Sequence, residues 1–273
     1  MLVLLAGTHL YFTIRLGFIQ RKLPDGLRRS LSSAGSGGLS PYEALSTALA
    51  ATIGTGNIVG VATAIGIGGP GAVFWMWFTG LLGMATKFGE ATLAVKYRVK
   101  AKDGSFIGGP MYALERGLGH KWLGVLFAIF TGIACFGIGN MTQANSIAES
   151  MNGTFGIPKI ATGIVLMIIT GLVILGGVKS ISKVCEKLIP LMAGLYIVGC
   201  IVICIVNGPH IPAAFAAIVQ GAFNPAAAGG GFVGATLVAC IRAGVSRGLF
   251  TNESGLLLSL THVQLQETLP DRL

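Results

Sequence analysis

Apolar stretches close to or above the roughly 20 residues needed to cross a bilayer recur along this chain. They occupy about 1–19, 43–66, 71–95, 122–148, 160–178, 188–206 and 231–250. No connection between them is long enough to fold as a soluble domain. This predicts seven membrane segments, the last of them interrupted by Arg242 and Arg247. A further apolar piece, Ile211–Gln220 beside Pro209 and Pro212, is too short to span and reads as interfacial or re-entrant. Only 11% of the 273 residues are charged, against 53% hydrophobic. A soluble surface needs about a quarter. The expected fold class is an all-α, multi-pass integral membrane protein, with the lipid bilayer as its constant partner.

The basic residues give the orientation. Three connections carry Arg21, Lys22, Arg28 and Arg29, then Lys96, Arg98, Lys100, Lys102, Arg116 and Lys121, then Lys179, Lys183 and Lys187. The intervening connections carry none, Lys159 alone, and none. Cytoplasmic loops hold the excess of Lys and Arg in membrane proteins. The alternation of 4, 6 and 3 against 0, 1 and 0 therefore puts the N-terminus outside and Lys96–Lys121 inside. A cysteine placed at Lys102 is expected to resist an impermeant thiol reagent in intact cells; labelling there would overturn the topology. The formal charge of +9 matches basic loops against an anionic leaflet, not a nucleic-acid partner.

The second segment, Glu43–Gly66, has Gly54-Thr55-Gly56-Asn57 at its centre. Glycine and asparagine are poor helix formers. Irregular backbone at membrane depth is tolerated only where it lines a site or cavity. An unwound break here would end one half-helix in carbonyls that suit a cation and start another in N–H groups that suit a carboxylate. A packing face of small residues is the alternative, and the segment alone leaves both open. Gly54, Gly56 and Gly60 do not match a dinucleotide-binding spacing.

Other features are weaker. Cys135, Cys185, Cys200, Cys204 and Cys240 show neither a zinc spacing nor a disulfide ladder. His9, His120, His210 and His262 are scattered. Met1–Ile19 lacks a basic start and a cleavage site, so it reads as a membrane helix. Ser30–Ser40 has linker composition. Lys87 and Glu90 are spaced for an i,i+3 ion pair. Phe74, Trp75 and Trp77 read as an interface anchor. No nucleophile–base pair or cofactor motif points to an enzyme.

Several long motifs now combine. Ser40–Arg98, Ile107–Gly119, the stretch around Gln143-Ala144-Asn145-Ser146, and Arg247–Gly255 closely resemble the alanine/glycine:cation symporter family. The resemblance covers nearly all of residues 1–256. It implies a five-plus-five inverted-repeat transporter fold preceded by one extra helix. It also implies a small neutral amino acid, alanine or glycine, as substrate and Na⁺, or else H⁺, as coupling ion, with no other cofactor. On that basis Thr55, Gly56 and Asn57 are expected to bind substrate, with Thr55 and Asn57 also at Na⁺. The resemblance makes Gln143 a substrate contact, with interhelical packing as the alternative. Repeat symmetry makes Gly244 and Gly248, flanking Val245-Ser246-Arg247, a candidate second helix break in the substrate site.

The resemblance stops after Leu256. Leu257–Leu273 is polar and looks unrelated where the family continues in small residues. The expected organisation is thus 1–256 as the N-terminal part of a transporter and 257–273 as an aberrant tail, from a frameshift, a premature stop or a sequencing error. The competing expectation to symport is a truncated membrane fragment that does not transport.

Overall fold

A computed structural model describes residues 2–30, 42, 45–46, 49–50, 54–100, 106–223 and 237–250. Among them the structure is helical apart from one short hairpin. The chain divides into two compact units, one from Met1–Gly89 with Cys185–Gln264 and one centred on Glu90–Val184.

In the first unit, α1 spans Leu2–Arg15. It ends because Gly17 and Phe18 both take left-handed backbone, at φ 63° and 57°. A 3₁₀ turn, Ile19–Lys22, leads into α2, Leu23–Ser30. Helix α3 spans Thr55–Gly68 and α4 spans Gly71–Lys96. Gly69, at φ 74°, makes the turn between them in a conformation a side chain would strain.

Helix α1 packs on α4 through an apolar cluster of Ile19 and Ala85 with Phe12, Leu16, Met84 and Phe88. A line of polar contacts runs beside it. His9 Nδ1 meets Thr86 Oγ1, Thr13 Oγ1 donates to the Leu82 carbonyl, and Gln20 Nε2 donates to Thr13 Oγ1 and to the Leu81 carbonyl. His9 and Thr13 are buried, and buried polar groups need such partners; of the side-chain polar atoms of these two residues, His9 Nε2 alone has none among the described residues.

The second unit opens with the end of α4 and the hairpin β1, Val99–Lys100, with β2, Phe106–Ile107, antiparallel with Val99 opposite Ile107. Helix α5, Pro110–Tyr112, runs on as a π-helical turn, Ala113–Gly117. Helix α6, Lys121–Ala134, passes through a second π-helical stretch, Cys135–Met141, into α7, Thr142–Phe155. Together they make one apolar rod of 35 residues, long enough to cross a membrane. Gly156, at φ 68°, turns the chain into α8, Lys159–Leu175, and an exposed Lys159–Glu149 ion pair of 2.8 Å lies at the corner.

Helix α9, Gly177–Val206, contains the second apolar span, Ser180–Val206. In the first unit a 3₁₀ turn, Gly208–His210, then starts α10, Ile211–Phe223, and α11 spans Leu237–Phe250. The 13 residues of α10 reach only about 20 Å, so the short apolar piece read from sequence is a helix too short to cross.

Glycine sets the closest packing here. Gly71 of α4 lies backbone to backbone with Gly221 of α10; a Cβ on Gly71 would sit 2.1 Å from the Gly221 carbonyl carbon. The Trp75 indole N–H donates to the Ala222 carbonyl at 3.1 Å, and its ring meets Phe223 edge-on. Trp75 is therefore a packing residue between helices, and not the interface anchor that its position in sequence suggested. Trp77 is half exposed, with Phe215 beside it.

Candidate functional site

The centre of the second apolar segment is not one continuous helix. Gly54 is extended, at φ −144° and ψ −171°, and α3 begins at Thr55. The Asn57 N–H donates to the Gly54 carbonyl at 3.0 Å and closes the first turn. The irregular backbone thus falls on Gly54, the first residue of the expected break, while Thr55, Gly56 and Asn57, expected to be unwound, are the first turn of α3. The residues just before, 51–53, lie outside the described set.

The position of that helix start follows from lengths. Helix α4 has 26 residues, about 39 Å, enough to cross. The Gly69–Pro70 turn precedes it. Helix α3 has 14 residues, about 20 Å, so its start lies about that far along its axis from this turn. A helix N-terminus carries N–H groups and a positive dipole end that favour an anion.

Helix α11 lies along α3. A methyl group on Gly68 would come within 2.9 Å of Ala243 Cβ and 3.1 Å of Cys240 Cα, and Gly60 faces the Arg247 side chain. The two helices are therefore antiparallel. On another side α11 meets α4. A Cβ on Gly244 would stand 2.4 Å from the Ala72 carbonyl oxygen, and one on Gly248 would stand 2.9 Å from Thr79 Cβ. Both glycines are buried inside an unbroken helix. The expected second break at Gly244–Gly248 is therefore corrected: these positions hold α11 close to α4, as small residues four apart do between membrane helices.

Gln143 is partly buried in the first turn of α7, directly after the π-helical stretch Cys135–Met141. It belongs to the second unit. Single π-helical insertions inside α-helices recur at functional positions. Glycines at 137 and 139 are the only local hint of this one in the sequence. Among the described residues, no group of His, Cys, Asp and Glu is arranged to hold a metal ion.

Comparison with known proteins adds the family. A family model described as the sodium:alanine symporter family matches residues 1–257. An uncharacterized transporter of Haemophilus influenzae is 54% identical over 260 residues, which is 94% of this chain and 57% of that protein. The sodium/alanine symporter AgcS of Methanococcus maripaludis is 50% identical over 265 residues, covering 94% and 58%. The probable sodium/glutamine symporter GlnT of Bacillus subtilis is 39% identical over 260 residues, covering 94% and 53%. The chain thus spans little more than half the length of these relatives. With the match running through the helix start at Thr55, the glycine seam and both apolar spans, the chain belongs to the sodium:alanine symporter family.

Proposed function

We propose that residues 1–257 act within a secondary carrier that moves a small neutral amino acid, alanine or glycine, together with Na⁺ across the cell membrane as a multi-pass protein. One observation carries this reading: α3 starts at Thr55, in the middle of the second apolar segment, behind an extended glycine. The backbone N–H groups of Thr55 and Gly56 and the side-chain amide of Asn57 receive the substrate carboxylate, and Gly56 lets it approach the backbone closely. Oxygen atoms from Thr55 and Asn57 contribute to the Na⁺ site. Gln143, on α7, is a separate candidate for a substrate contact. Gly244 and Gly248 enter as the packing face that holds α11 on α4. No bond is made or broken in transport, so the work of these residues is binding and release. The five-plus-five repeat fold preceded by one helix belongs to the same proposal, and so does alternating access around the site.

The test is uptake of labelled alanine and glycine into proteoliposomes by a complete carrier bearing this sequence over residues 1–257. Uptake is expected only with an inward Na⁺ gradient. Equal uptake with K⁺ on both sides, or uptake driven by a pH gradient alone, would overturn Na⁺ coupling.

A further inference from the structure

One feature of the first unit has no place in the site just described. Arg242, Ser246 and Arg247 of α11, with Ala239 and Ala243, face Ala64 and Ile67 of α3 across a groove of about 480 Å³. Arg247 lies against Gly60, where a methyl group would touch its Cδ and Nη1 at 3.6 Å. Arginine stays charged at every physiological pH. Ionisable residues in membrane segments face a bundle interior or a wet cavity and mark ligand pathways.

The groove has a direction. On α3 it is lined by Ile67 and Ala64, and Arg247 at its other end lies beside Gly60, three residues from Asn57. At 1.5 Å per residue, Gly60 is about 4.5 Å along α3 from Asn57, so the groove points along α3 toward the helix start. Arg242 and Arg247 are five residues apart on an unbroken helix, about 7.5 Å along its axis. They therefore mark two successive positions, not one clamp on a single group.

We propose that this groove is a staging path for the carboxylate of the amino-acid substrate. The proposal rests on the reading of Thr55–Asn57 as the central site. Arg242 meets the carboxylate first, through the two parallel N–H donors of its guanidinium. Arg247 meets it next, beside Gly60, and the N-terminal turn of α3 receives it last. The same two charges repel the substrate ammonium, so the zwitterion travels carboxylate first. The ligand class is a monocarboxylate, whose apolar body lies against Ala64, Ile67, Ala239 and Ala243.

The test uses the complete carrier in phosphatidylcholine vesicles. Arg242→Gln is expected to raise the KM for alanine about tenfold with kcat little changed, and Arg242→Lys is expected to recover most of the loss. Propionate, which has the carboxylate without the ammonium, is expected to compete with alanine in the wild-type protein and much less in Arg242→Gln. If the variant does not fold, modification of the wild-type carrier by phenylglyoxal gives the answer: alanine is expected to protect Arg242, as read by mass spectrometry. Unchanged KM, or modification that alanine does not slow, would overturn the path. A defect confined to vesicles containing phosphatidylglycerol would make the groove a lipid-headgroup site and overturn it too. Normal KM in Arg242→Gln while Asn57→Ala loses affinity removes the groove alone; normal affinity in Asn57→Ala removes the central site beneath it.

Discussion

Asn57→Ala in a complete carrier bearing this sequence is expected to fold normally and to bind alanine about ten- to a hundredfold more weakly. The range follows from losing one hydrogen bond to a charged group, about 1.5–3 kcal/mol. The position explains why folding should survive. The Asn57 backbone closes the first turn of α3 on the Gly54 carbonyl at 3.0 Å, and alanine keeps that bond. The change removes the side-chain amide and leaves the backbone of the helix start in place. The measurement is equilibrium binding of labelled alanine to purified protein across a range of Na⁺ concentrations. If the amide oxygen serves Na⁺, the apparent Na⁺ affinity falls with it; if the amide N–H serves substrate, alanine affinity falls at saturating Na⁺. Normal values of both would remove Asn57 from the site. Gly56→Ala separates binding from packing: a binding role lowers affinity, and a packing role lowers yield while leaving the affinity of the surviving protein intact.

The second large effect is on stability. Gly71→Ala is expected to lower the melting temperature of the purified protein by several degrees, and Gly71→Val to leave no monodisperse protein. A Cβ at Gly71 would lie 2.1 Å from the Gly221 carbonyl carbon, 2.2 Å from its oxygen and 2.3 Å from the Ala222 nitrogen. All three atoms are backbone, so no rotamer change relieves the overlap and the helices must separate. Overpacking of this kind costs about 1–3 kcal/mol. Separation also strains the Trp75 indole bond to the Ala222 carbonyl, a net contribution of about 0.5–1.5 kcal/mol. Gly66→Ala is the control. Gly66 is exposed, nothing lies within 4 Å of its Cβ position, and it sits in a helix where alanine is the better former. Equal melting of Gly71→Ala and Gly66→Ala would show that the α4–α10 contact does not limit stability.

Sequence pattern located the helices well because length and hydropathy alone decide whether a segment can cross. The runs at about 71–95, 122–148 and 160–178 became Gly71–Lys96, Lys121–Phe155 and Lys159–Leu175. The interruption of the second segment was legible for the same kind of reason, since Gly and Asn clustered where a regular helix should have been strongest. The break is shorter than expected because Thr55–Asn57 can close a helical turn once Gly54 is extended. Gly244 and Gly248 show the limit of composition. Glycines four apart serve a close helix crossing and a helix break equally well, and only the Ala72 carbonyl and Thr79 facing them tell the two apart. Trp75 and His9 escaped for a different reason. Their partners, Ala222 and Thr86, lie 147 and 77 residues away, beyond any local pattern. The π-helical stretch at Cys135–Met141 depends on one extra residue per turn, which no period in the sequence announces.

The polar line between α1 and α4 has a consequence for biogenesis. His9 meets Thr86, Thr13 meets the Leu82 carbonyl, and Gln20 meets the Leu81 carbonyl. None of these acceptors or donors exists until some 70 further residues have left the ribosome. At about 5–20 residues per second, the 77 residues between His9 and Thr86 take about 4–15 s to synthesise. During that time α1, a helix of 14 residues, carries an imidazole that lipid cannot satisfy. Its lodging in the membrane is thus provisional until α4 arrives. The order of synthesis makes α4 the clasp that fixes the first helix in place, so a ribosome stalled before residue 81 would leave that helix free to slip back out.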